Sequence, residues 1–152
     1  MEPIQVRDPL AGDRQIEQVI HPTHQCFDDA VELVLYLHTE EGVPAAQLRV
    51  VHAICLLPND GMRFAHAWVE RGSDCLFLGL YDGARVICTV PRHDYYRRLR
   101  VQERTKYTPR QVAQKAQRAM SHGPWKPQYL ALTRQGAAAQ TERDDAEPLQ
   151  LV

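Results

Sequence analysis

Residues 48–61, Leu-Arg-Val-Val-His-Ala-Ile-Cys-Leu-Leu-Pro-Asn-Asp-Gly, contain the sequence pattern that decides the fold. The first ten residues are mostly apolar and rich in β-branched side chains, which favours a β-strand over 48–57. The Pro-Asn-Asp-Gly that follows is a strong turn signal. A turn this short requires the next strand to run antiparallel to the first. The stretch therefore predicts the first hairpin of an antiparallel sheet.

Three more runs with strand character follow this hairpin turn: Phe64–Glu70, Cys75–Tyr81 and Arg85–Val90. They are separated by Arg71-Gly72-Ser73 and by Asp82-Gly83, and both connections are short enough to require antiparallel neighbours. The sequence therefore predicts an antiparallel sheet of about four strands.

Helical patterns flank the predicted sheet. One helix begins at Pro22-Thr23 and runs to about His38, with apolar residues at helical spacing: Phe27, Ala30, Val31, Val34, Leu35 and Leu37. Another begins at Thr108-Pro109, with proline at its first position, and runs to about Ser121. Residues 95–101 also have helical character. The predicted fold class is α+β, with an N-terminal helix on the sheet and a C-terminal helix after it.

The length and composition indicate a single globular domain. The chain has 152 residues, of which 44% are hydrophobic and 24% charged. We assign 1–132 to this domain and 133–152, rich in Gly, Ala, Gln and acidic residues, to a flexible C-terminal tail. We expect a cytoplasmic protein, because the sequence shows no secretory signal, no apolar run of eighteen residues and no CxxC pair. Secretion by a signal-independent route stays open.

Cys26, His66 and Asp82 are the candidate catalytic residues. Cys26 falls in the first turn of the predicted helix, where backbone N–H groups favour a thiolate. His66 begins a predicted strand whose alternation places Trp68 and Glu70 on the same face. Asp82 ends the next strand, about where a carboxylate would accept the imidazole N–H. Such a set supplies a nucleophile, a base and an orienting carboxylate.

Gln25-Cys26-Phe27, His66-Ala-Trp-Val-Glu70 and Asp82 together resemble the transglutaminase-like branch of the papain-like cysteine enzymes. In that family the nucleophile is found in Gln-Cys-Trp at the start of a helix. The base is found in His-Ala-Trp-x-Glu at the start of a strand. Phe27 departs from the family pattern, and Asp82 lies sixteen residues after His66, one more than usual. The resemblance covers roughly residues 20–90.

This resemblance implies a transglutaminase-like core and a cysteine-dependent amide hydrolase or acyl transferase. A peptidase, a glutamine deamidase and a transglutaminase all fit, each acting on a peptide or protein through a thioester. The implied oxyanion and substrate-binding groups are the Cys26 N–H, Gln18 and Gln25, and Trp68 packs over the imidazole. No metal or organic cofactor is required.

Two alternatives come from other parts of the chain. Residues 92–126 carry ten basic and two acidic residues, whereas residues 1–91 carry six and thirteen. This basic region would suit a non-catalytic protein that binds an acidic protein or, less favoured without a known motif, a nucleic acid. His21, His24 and Cys26, together with His52 and Cys55, would suit zinc, although a strand places His52 and Cys55 on opposite faces.

Overall fold

The computed structural model describes residues 25–57, 61–81 and 83–133. Within these ranges the fold is α+β, as the sequence predicts. In chain order the elements are α1 (Gln25–Thr39), a 3-10 turn (Ala45–Gln47), β1 (Leu48–Leu56), β2 (Arg63–Arg71), β3 (Asp74–Tyr81), β4 (Ala84–Pro91), α2 (Arg92–Arg98), β5 (Glu103–Tyr107) and α3 (Pro109–Ala119). Residues 127–133 are also helical. Most of the predicted tail, from residue 134, lies outside the described residues.

The strands form one antiparallel sheet with the order β4-β3-β2-β1-β5. The hairpin predicted around 58–61 is confirmed, since β1 pairs with β2 from Leu48↔Arg71 to Leu56↔Arg63. The fifth strand was not predicted from the sequence. It has the sequence Glu-Arg-Thr-Lys-Tyr and pairs with the other side of β1.

The ladder between β2 and β3 is the shortest in the described sheet. It consists of three pairs, Val69↔Leu76, Glu70↔Cys75 and Arg71↔Asp74. The β3–β4 hairpin, in contrast, is paired from Asp74↔Pro91 to Tyr81↔Ala84. The sheet is therefore joined in its middle by a short ladder next to the β2–β3 turn.

Each face of the sheet carries its own hydrophobic core. On one side, which we call the α1 face, Ala65, Ala67 and Val69 of β2 pack with side chains from α1, α3 and the 127–133 segment. On the other side, the α2 face, Phe64 and Trp68 of β2 pack with α2. Successive side chains of a strand point to opposite faces, so residue parity in β2 decides which core a side chain joins.

The two longer helices form for the local reasons that the sequence indicates. In α1 the predicted apolar positions are buried except Leu35, which is 51% exposed, while Leu33 is buried in its place. Thr108 caps α3: its hydroxyl accepts from the Gln111 N–H, and the Gln111 side chain accepts from the Thr108 N–H. None of the helices in the described part of the chain has the length and apolar character needed to cross a bilayer.

Candidate functional site

Cys26 is the second residue of α1 and packs against the core of the α1 face. It lines a cavity of about 20 Å³ with Ala67 of β2 and residues of β3. Burial raises the pKa of the thiol to about 12, although N–H groups of Ala67 and of the helix N-terminus favour the thiolate. Desolvation outweighs the helix terminus here, so the thiol is protonated at neutral pH.

His66 is buried on the α2 face. Its Nε2 lies 2.9 Å from the Tyr95 hydroxyl of α2, within hydrogen-bond distance. Its ring centroid is 5.6 Å from that of Trp68, and the two rings are tilted by 39°. Burial lowers the imidazole pKa to about 4, and His66 is therefore neutral over the physiological range.

The structure does not bring Cys26 and His66 together. In β2 it is Ala67 that faces α1 and Cys26, whereas His66 points to the opposite side of the sheet, towards α2. The sequence correctly predicts that His66, Trp68 and Glu70 share a face, but that face is not the one covered by α1. A thiol and an imidazole on opposite faces do not form the hydrogen-bonded nucleophile–base pair that acyl transfer needs.

The other residues of the predicted catalytic set have different surroundings. Gln18 and Asp82 lie outside the described residues. Gln25 is exposed, and its side-chain amide donates a hydrogen bond to Asp29 at 3.1 Å. The Trp68 indole N–H donates to Glu70 Oε2 at 3.0 Å. The β2–β3 ladder extends from the turn only to Val69↔Leu76, so His66 lies beyond the paired part of the two strands.

The candidate zinc ligands are also separated. His52 lies in contact with Phe27 on the α1 face, and Cys55 belongs to the core of the α2 face, as strand alternation predicts. His21 and His24 lie outside the described residues. Among the residues that are described, no three His, Cys, Asp or Glu side chains are grouped so that they could hold a metal ion.

Glu70 is the centre of a polar network that the sequence analysis did not identify. Its Oε2 accepts hydrogen bonds from the Trp68 indole and the Tyr96 hydroxyl. Its Oε1 accepts from Lys106 Nζ at 2.9 Å and from Arg92 Nη1 at 3.5 Å. The Glu70 side chain is only 3% exposed. Burial opposes its ionisation, but the bonds from Tyr96, Lys106 and Trp68 outweigh burial and lower the pKa of the carboxyl group.

An open cavity of about 800 Å³ lies next to this network, where β1 begins and β2 turns into β3. Four cations line it, one from each of β1, β2, α2 and β5: Arg49, Arg71, Arg92 and Lys106. Glu70 and Asp74 are its two carboxylates, so the lining carries a net charge of +2. We call this site the cationic cavity.

The cations of the cavity are held to different degrees. Arg92 and Lys106 are fixed by Glu70, and Arg92 also donates to the Gly72 carbonyl at 3.2 Å. Arg49 donates to the Leu48 carbonyl at 2.6 Å, a contact that leaves its charge unneutralised. The ion pairs found among the described residues do not include Arg71. The cavity thus combines two cations that Glu70 holds with two, Arg49 and Arg71, that form no ion pair among the described residues.

The basic residues of the region 92–126 lie on both faces of the sheet. Arg92 and Lys106 contact Glu70, and Arg104 lies 5.2 Å from the centroid of the Tyr96 ring, all on the α2 face. The basic residues of α3, Arg110, Lys115 and Arg118, belong to a helix on the α1 face, where Val112 is buried. The sheet separates the two groups, and only the first adjoins the cationic cavity.

Comparison of the chain with protein-family models, with curated proteins and with solved structures finds no match.

Proposed function

We propose that this protein is a binding protein whose cationic cavity holds an acidic segment of a protein partner. The observation that carries the proposal is the convergence of Arg49, Arg71, Arg92 and Lys106 on one open cavity with a net charge of +2. Arginine pairs with carboxylates through two parallel N–H donors, which suits aspartate and glutamate side chains.

Glu70 supports this proposal by positioning the cations. A buried carboxylate that accepts from both Arg92 and Lys106 fixes their charged ends at the cavity wall before any partner arrives. Preorganised donors lose less side-chain entropy on binding, which improves affinity without adding contacts. Glu70 is therefore a positioning residue and does not itself contact the partner's carboxylates.

The aromatic residues of the α2 face favour a protein partner over a single-stranded nucleic acid. Proteins that bind single strands stack bases on accessible rings. On this face Trp68, Tyr95 and Phe77 are at most 5% exposed, and the partly exposed Tyr96 ring is covered by the Arg104 guanidinium. Carboxylates need only the cations, whereas bases would also need a free ring to stack on.

The thiol acyl-transfer activity suggested by the resemblance to transglutaminase-like enzymes is the weaker proposal. It requires Cys26 and His66 to act on each other, and they pack into cores on opposite faces of the sheet. The α+β fold is compatible with a transglutaminase-like core but does not single it out. A binding role needs no such pair.

The test compares two fluorescent peptides by anisotropy, one rich in glutamate and the other with glutamine at the same positions. We expect the glutamate peptide alone to bind, with an affinity that falls as salt is added. Exposed ion pairs contribute about 0–1 kcal/mol each, so Arg71→Gln should weaken binding by up to about fivefold.

Arg118→Gln is the matched control, because it removes the same charge from α3 on the other side of the sheet. We expect it to leave the affinity unchanged. Equal binding of the two peptides, or an equal loss in both variants, would refute the cavity as the site. Tighter binding of a single-stranded oligonucleotide, lost in Arg71→Gln, would assign the cavity to nucleic acid instead.

A further inference from the structure

His52 is the most buried polar side chain on the α1 face. Its side chain is 0% exposed. Three aromatic rings enclose it, with centroids 4.9 Å away for Phe27, 5.1 Å for Tyr107 and 4.9 Å for Trp125. Among the described residues, neither ring nitrogen has a hydrogen-bond partner. A neutral imidazole carries one donor and one acceptor, so both are buried without compensation.

The backbone at Gly123 closes this site from the outside. A Cβ atom at Gly123 would lie 2.6 Å from His52 Cε1, so the main chain rests directly on the imidazole. Gly123 also has a φ of 106°, which an L-residue rarely adopts. Trp125 and Tyr129 continue the cover, and Tyr129 is held by a hydrogen bond to Thr105 of β5 at 2.9 Å. Residues 121–133 thus form the outer wall around His52.

We propose that His52 and residues 121–133 form an acid-sensitive latch, which opens when the imidazole takes up a proton. An imidazolium has two N–H donors and a charge, and the described residues of the closed site offer its ring nitrogens neither an acceptor nor a counter-ion. Detaching 121–133 would let water reach both nitrogens. Opening would also expose the apolar surface of Phe27 and Tyr107.

The groups around His52 give it no compensating charge. The Tyr107 hydroxyl is buried and has no hydrogen-bond partner in the described part of the chain, and the Tyr129 hydroxyl is bonded to Thr105. Burial lowers the pKa of His52 to about 3, which agrees with this geometry. The elements packed against it also carry other titratable groups, which include Cys26 and Asp28 of α1, Lys115 of α3, and His122.

The His122–Asp28 pair is the competing explanation for an acid response. His122 Nδ1 lies 2.9 Å from Asp28 Oδ1 at the exposed edge of the same segment. This contact ties residues 121–133 to α1, so it holds the segment closed. Replacing His122 therefore separates the contribution of this pair from that of His52.

Hydrogen exchange followed by mass spectrometry on the full chain tests the latch. Below about pH 6.5 we expect the opening equilibrium of 121–133 to rise about tenfold per pH unit, after correction for intrinsic exchange. His52→Leu should remove this dependence and His122→Gln should keep it. Persistence of the response in His52→Leu, or its loss in His122→Gln, would overturn the proposal.

Two further measurements apply if His52→Leu does not fold. In the unmodified protein the acid response should begin in 121–133 at higher pH than in β3 and β4. Simultaneous loosening of both regions would contradict a latch. In Gly123→Ala the added methyl group should push the segment off His52, so 121–133 should exchange faster at neutral pH, and unchanged protection would also contradict the proposal.

Discussion

The two faces of the sheet each bury a histidine, but only the histidine on the α2 face has a hydrogen-bond partner among the described residues. On the α2 face His66 is paired with the Tyr95 hydroxyl, and the neighbouring Glu70 is fully hydrogen-bonded. On the α1 face His52 has no partner among the described residues, and the hydroxyl of the adjacent Tyr107 also has none. His52 and His66 lie on the neighbouring strands β1 and β2, and their side chains point to opposite faces of the sheet. The difference in their hydrogen bonding therefore comes from the segments that cover each face. The buried polar groups of the α2 face are hydrogen-bonded to one another, whereas those of His52 and Tyr107 on the α1 face lower the stability of the fold because they are buried without partners among the described residues.

The largest expected effect is the loss of Glu70. Glu70→Ala leaves the Trp68 and Tyr96 donors unpaired and two cations without their shared carboxylate. Each buried donor left unpaired costs about 1–3 kcal/mol of unfolding free energy, whereas the two cations, 41% and 35% exposed, regain water at little cost. Urea denaturation followed by circular dichroism measures the change. Asp74→Ala, an exposed carboxylate in the same cavity, should change stability by less than about 0.5 kcal/mol. Equal losses in the two variants would mean that the network adds no stability.

Acid should destabilise both faces. His66 and His52 have lowered pKa values in the folded protein, about 4 and about 3, so they stay neutral there while the unfolded chain takes up protons below about 6.5. Stability is therefore complete above that pH and falls as the pH drops towards these values. Each histidine contributes a slope of about 1.4 kcal/mol per pH unit. Urea unfolding midpoints measured between pH 4.5 and 7 should show this pH dependence of stability. His52→Leu should lower its slope by the contribution of one histidine, about 1.4 kcal/mol per pH unit. An unchanged slope would place the titration elsewhere.

A pair of matched tyrosine variants compares the faces directly. Tyr95→Phe removes the partner of His66 Nε2 and should cost about 1–3 kcal/mol, the usual penalty for an unsatisfied buried group. Tyr107→Phe removes a hydroxyl that has no partner among the described residues, so it should be neutral or stabilising. Both variants keep the aromatic ring, and thermal unfolding measures them. A loss in Tyr107→Phe as large as that in Tyr95→Phe would erase the contrast between the faces.

The smallest expected effect concerns the thiol. Since Cys26 and His66 lie on opposite faces, His66→Gln should change the rate of iodoacetamide labelling of Cys26 by less than about twofold. Cys26 itself should react more slowly than a free cysteine, because burial raises its pKa to about 12. Site-by-site mass spectrometry measures both rates. A tenfold decrease in His66→Gln would instead support the predicted catalytic pair.

Most of the fold could be predicted from the sequence, because its signals are local. The β-branched run at 48–57 and the Pro-Asn-Asp-Gly turn determine the first hairpin, and Thr108-Pro109 marks the start of α3. The edge strand β5 gives no such signal. Four of its five residues are polar or charged, and its pairing with β1 is set by the tertiary fold.

The candidate site depended on information that the sequence does not carry. Alternation places His66, Trp68 and Glu70 on one face, but it does not say which face α1 covers. A shift of one residue exchanges the faces of a whole strand, and here Ala67, not His66, faces Cys26. Glu70 could have been recognised as a buried carboxylate in need of cations, since it follows Trp68 in an apolar strand. Its partners Arg92 and Lys106 come from distant segments and are identified only by the fold.

The short ladder between β2 and β3 has a consequence for how the molecule unfolds. Three residue pairs join the β3–β4 hairpin to the strands β2, β1 and β5. Local opening follows the weakest connections of a structure. We therefore expect the molecule to contain two cooperative units that separate along this seam. If force were applied to the β3–β4 hairpin, we expect β3 to separate from β2 first. The strands β1, β2 and β5 would stay paired, because their ladders are longer.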